Sequence, residues 1–173
     1  MRVIILFVAF CFVGCATQAQ TAKTFTFDQW VHQSNNKYDI DLVYSSKNPY
    51  KSIIFIIDPQ ITCDARMVFA NSEMEVDRLK SLNGERFDFQ LAGQSYEGSD
   101  ASLFNTEGYF RFELLSFYKH HFDQLEELLA PKGYIDFQLS DPLGRFEKQD
   151  MQFPVSGLQQ ALDHALDTCQ GWT

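Results

Sequence analysis

His120 and His121 stand side by side with Asp123 close behind, the one cluster in the chain whose residue types invite a metal or an acid/base reading. Their surroundings have helical spacing, and adjacent side chains on a regular helix point about 100° apart, so the two imidazoles do not share one ion. A zinc site would need further ligands, and the other histidines are His32 and His164. The pair therefore reads as solvated polar residues at a helix start, and neither a metal nor another cofactor is expected. Nucleophilic chemistry fares no better. Gly93-Gln94-Ser95-Tyr96 lacks the G-x-S-x-G pattern of a nucleophile elbow. The nine glycines are scattered and form no phosphate-cradling loop. Asp39 and Asp41, at alternating strand positions, share a face as a glycosidase pair would, but close to a turn in an acidic chain they read as a solvated face. No catalytic residue is assigned, and an enzyme is not expected.

The cysteines carry more information. Arg2, the apolar run Val3 to Val13 and the small or polar residues from Gly14 onward have the anatomy of a secretory signal. Two processing routes fit. Phe12-Val13-Gly14-Cys15 resembles a lipobox, which would remove residues 1–14 and make Cys15 a lipid anchor; cleavage after Ala19 would remove residues 1–19 and leave a soluble protein starting at Gln20. Either route places the remaining thiols, Cys63 and Cys169, in an oxidising compartment, where they are expected to pair. The expected location is the periplasm, free or attached to the outer membrane.

The mature chain, residues 20–173, is one domain's worth, without repeats or a Pro/Gly/Ser-rich linker. Loss of Arg2 takes the 14 basic residues to 13 against 23 acidic, a formal charge of −10. Such a surface repels phosphate backbones, so nucleic acid is excluded as a partner and a basic protein is favoured. The 17 Phe, seven Tyr and two Trp of the chain imply an aromatic core or an aromatic-lined cavity.

Period-two patterning dominates. Tyr38, Ile40, Leu42 and Tyr44 alternate with Asp39 and Asp41; Cys63, Ala65, Met67 and Phe69 form a second set, and Phe87, Phe89 and Leu91 a third. Phe110 to Leu114 and Ile135 to Leu139 repeat it, Phe25 and Phe27 precede Trp30, and Ile53 to Ile57 reads as a strand covered on both faces. Asn83-Gly84 is the strongest hairpin signal. Two stretches have helical spacing: Tyr118, Phe122, Leu125, Leu128 and Leu129, ended by Pro131 and Gly133, and Val155 to Cys169, where Ser156 and Gln159 form a capping box. The polar stretch Gln94 to Thr106 reads as a binding loop, with Gln94, Tyr96, Glu97, Asp100 and Phe104 as its candidate contacts. The fold expected is mainly antiparallel β, a sandwich or partly open barrel, with two short helices and the C-terminal one packed on the sheet.

QLEELLAPKGYIDFQL, followed by FPVSGLQQALDHAL, resembles the closing part of the invasion-associated locus B family of exported bacterial proteins, with Gly157 leading into a helix that carries Ala161 and Leu162. Trp30 is similar to that family's opening, although the cysteine expected soon after it does not occur before Cys63. The resemblance implies a β-sandwich-like periplasmic protein and assigns no functional residue. Together these features point to a non-catalytic exported domain that binds another protein, in its sharper form an inhibitor or immunity protein for a cationic hydrolase. The alternative is a carrier of an apolar ligand or lipid in a barrel or sandwich cavity.

Overall fold

The computed structural model describes residues 22–35, 40–48, 51–71, 80–104, 109–117 and 133–170. The strands are β1 (Lys23–Phe27), β2 (Trp30–Asn35), β3 (Ile40–Ser45), β4 (Lys51–Asp58), β5 (Asp64–Asn71), β6 (Arg86–Leu91), β7 (Gln94–Phe104), β8 (Tyr109–Phe117), β9 (Tyr134–Leu139) and β10 (Gln149–Pro154), followed by the helix α1 (Leu158–Gln170). They form one 10-stranded sheet in the order β1-β2-β3-β4-β5-β8-β7-β6-β9-β10. Every neighbouring pair is antiparallel. The fold is thus the mainly antiparallel β architecture expected. Among the described residues α1 is the one α-helix; the other expected helix, with His120 and His121, lies outside them, as do Cys15 and the expected signal segment.

The sheet coils onto itself. Phe69 of β5 lies 4.6 Å, ring centre to ring centre, from Phe137 of β9, and the Trp30 indole of β2 donates 2.8 Å to the Pro154 carbonyl of β10. Between these walls the inward residues of all ten strands and α1 build one core of touching rings and aliphatic chains. Phe112 meets Phe69 and Phe87 at 6.3 and 5.7 Å, distances at which aromatic pairs add to simple burial.

α1 covers the β1–β4 end of this coil with Leu158, Ala161, Leu162, Ala165 and Cys169 buried, the stripe its periodicity implies. It is fixed at both ends. At its start Gly157 has φ +85°, and a Cβ there would strike the Phe27 carbonyl, so only glycine lets the β10–α1 turn sit on the first hairpin. At its end Cys169 is disulfide-bonded to Cys63 across 106 residues, with Cα atoms 6.0 Å apart. Cys63 sits in the last position of the β4–β5 connection rather than on the strand itself.

Four local expectations are corrected. β3 has the opposite phase: Asp41, Val43 and Ser45 face inward, while Ile40, Leu42 and Tyr44 are half-buried on the outer face. Both sets contain apolar residues, and the need to pair His32 with a carboxylate decides between them. Of the expected binding loop 94–106, Gln94–Phe104 instead forms β7, whose polar residues belong to a solvated sheet face and whose Gly98 makes a bulge opposite Asp88, while 105–106 lie outside the described residues. Asn83-Gly84 is a turn leading from a short 3-10 segment into β6 and closes no hairpin; the tight hairpin turn is Ala92-Gly93, both with positive φ. Finally, the Gln159 amide donates forward to Asp163 at 2.8 Å instead of back to Ser156.

Candidate functional site

Strand register places the first candidate. Phe25 pairs with His32 and His32 with Val43, so the inward faces of β1, β2 and β3 converge under α1. His32 is completely enclosed and Asp41 nearly so. His32 Nε2 lies 2.8 Å from Asp41 Oδ1, and His32 Nδ1 lies 2.8 Å from His164 Nδ1 on α1. Phe25 and Phe27 wall the His164 ring at 4.4 and 5.3 Å. Both nitrogens of His32 are thereby committed to protein partners.

The chain of bonds dictates proton positions. A carboxylate only accepts, so His32 Nε2 donates to Asp41; a neutral His32 then accepts at Nδ1, and His164 must donate from its own Nδ1. A neutral His164 is left with an Nε2 lone pair, and the described residues offer that atom no partner. The arrangement is a hydrogen-bonded chain from an enclosed carboxylate to a half-buried imidazole. It is not a metal cage: no group of three metal-ligating side chains is arranged to hold an ion among the described residues.

The second candidate is the outer face of β7, β6, β9 and β10. Ser95, Gln90, Gln138 and Asp150 lie in one register row across the four strands. Asp88, Glu97, Asp100 and Asp150 are exposed and Asp136 half-exposed, with Arg86 the opposing cation on these strands. Most of these carboxylates are held in place. Asp88 accepts from the Gly98 amide, Asp136 from Gln152 at 2.9 Å, and Asp150 from Gln138 with Lys148 at 3.5 Å. Arg86 bonds Asp100 at 3.2 Å.

A cleft of about 340 Å³ opens at one end of this face between Arg86, Asp88 and the 140–145 loop. Asp141 holds that loop in shape by accepting from the amides of Leu143 and Arg145 and from the Arg145 guanidinium, which also reaches Glu85 at 2.6 Å and covers the Phe87 ring. The Arg145 side-chain bond holds the Asp141 carboxyl below the usual carboxylate range, and the same bond raises the guanidinium. The loop presents Leu143 at its tip with 75% of its surface exposed.

Of the residues expected to bind, Glu97 and Asp100 do lie on the acidic face. Tyr96 turns inward and stacks on Phe89 at 5.0 Å, its hydroxyl donating to Gln94 at the hairpin end. The Phe104 side chain lies outside the described residues, as does Asp39. Sequence reasoning named His32 and His164 only as spare histidines and set Asp41 in solvent. One signal could have found the pair: the strand-patterned segments 30–35 and 40–45 are close in sequence, and pairing them antiparallel, as β2 and β3 do, brings His32 and Asp41 near each other. No protein-family model matches the chain, and no curated protein or solved structure matches it.

Proposed function

We propose that the chain is an exported, non-catalytic binding domain that docks a basic protein on the acidic outer face of β7, β6, β9 and β10. The observation that carries this is the charge of that face: Asp88, Glu97, Asp100, Asp136 and Asp150 against Arg86 on four adjacent strands. Opposite charge steers encounter and fixes register, and carboxylates already held by neighbours lose little freedom on docking. The inward side of those strands packs into the aromatic core, which favours a binding surface over an internal ligand. A cell-wall-degrading hydrolase of basic charge is the partner class that suits a small acidic domain, with inhibition or immunity as the outcome.

Export is supported by the apolar N-terminal run and by the Cys63–Cys169 bond, a pairing typical of oxidising compartments. No helix among the described residues is long and apolar enough to cross a membrane. The likeness to the invasion-associated locus B family agrees with this reading. Intact mass of the mature protein decides the anchor, since acyl mass on an N-terminal Cys15 means tethering and a start at Gln20 means release.

The test is affinity capture from periplasmic extract with the wild type and with Asp88→Asn/Asp136→Asn/Asp150→Asn. One basic protein should bind, elute with salt and fail to bind the triple variant. Equal capture by the folded triple variant refutes the assignment of this face.

A further inference from the structure

The contact between His32 and His164 joins α1 to the first two hairpins, and its chemistry makes the joint respond to acid. We propose that it is a latch opened by acid: it holds the middle of α1 on β1–β3 while at least one of the two rings is neutral, and releases it when both are protonated.

Two ring nitrogens 2.8 Å apart need one hydrogen between them. In the neutral pair that hydrogen belongs to His164. A first proton is tolerated, because His32 as imidazolium donates in both directions, to Asp41 and to His164, whose Nδ1 becomes the acceptor. A second proton cannot be. Both Nδ1 atoms then carry hydrogen, neither has a lone pair, and two like charges face each other beside an enclosed ring. Asp41 offsets one of those charges and has no second to give. The second proton therefore binds the open form in preference, and acid shifts the population toward it.

The other charged groups around the pair leave this logic in place. β1 contributes Lys23, exposed and two residues before Phe25; β2 contributes His32 itself and β3 contributes Asp41. β4 turns Ile53, Phe55 and Ile57 inward, and its Lys51 stands four residues from Phe55, the position in register with His32 through Val43. Asp163 and Asp167 on α1 are exposed, and Asp28 lies at the far end beneath Gly157. Because Cys169 and Gly157 pin the two ends of α1, opening is local: the middle of the helix lifts, and Phe25 and Phe27 lose the ring they pack against.

Amide hydrogen exchange tests the latch, corrected for the intrinsic effect of pH. From about pH 7.5 to about pH 4.5, protection of residues 161–168 in the wild type should fall about tenfold more than that of β4 and β5. His164→Gln supplies a partner that both donates and accepts without titrating, so its α1 should keep its protection across the same range. Parallel loss in α1 and in β4–β5 of the wild type, or the same acid response in His164→Gln, overturns the proposal. Should the variant fail to fold, ring nitrogen shifts of the wild type decide. They should show two protonation steps, with α1 amide shifts following the second; amide shifts that follow the first step overturn the latch.

Discussion

Asp41 shows how one enclosed carboxylate can set the conformation of an element. Without it His32 Nε2, fully enclosed, has no acceptor, and an unpaired buried donor costs about 1–3 kcal/mol. Asp41→Ala should therefore lower the unfolding free energy by about that amount in a urea titration, whereas Glu97→Ala, at an exposed position, should change it by less than about 0.5 kcal/mol. Asp141 makes a different prediction. Its carboxyl is held below the ordinary range of about 3.9, so its contribution is complete above that value and is lost only as pH falls through the lower folded value. The Leu143 and Arg145 amide resonances should accordingly stay fixed on acidification from about pH 6 to about pH 4 and move only below that. Movement near neutrality would contradict the pairing of Asp141 with Arg145.

At the scale of elements the main device is the attachment of α1. In the chain-entropy account, linking two residues 106 apart contributes about 4–5 kcal/mol by restricting the unfolded chain. Cys63→Ser/Cys169→Ser should show a drop of that order, and reductant should reproduce it in the wild type while leaving the double variant unchanged. The pairing was legible because compartment and count left two thiols. Several strands were legible for a related reason: β6 and β9 alternate an apolar inward set with a largely polar outward one, so their phase is fixed by composition. β3 carries apolar residues in both sets, Ile40 and Leu42 against Val43, and its phase depends on a histidine in another strand. β7 hid behind Ser, Asp and Gly because a strand with one solvated face and a bulge has the composition of a loop. The hydrogen-bonded chain itself joins residues up to 132 positions apart, a separation that local pattern does not reach.

For the whole molecule, the sheet order determines what must be present before the fold is complete. β1 and β10 are its two ends, and they are brought together by Trp30 reaching Pro154, by Gly157 on Phe27 and by α1 lying across β1–β4. A chain ending at Pro154 should lose cooperative unfolding, seen as a broad thermal transition and dispersed binding of a hydrophobic dye, because Trp30, Val43 and Phe55 would lose their cover. Persistence of a sharp transition in that fragment would show that the coiled sheet is self-sufficient.

Such dependence on the final helix bears on timing. A polypeptide emerging N-terminus first from any narrow pore exposes β1–β4 long before the segment that seals them, and the thiol that would lock the seal comes later still. Until that moment the chain stays threadable, and the covalent lock can be fastened only on the side where its tail arrives.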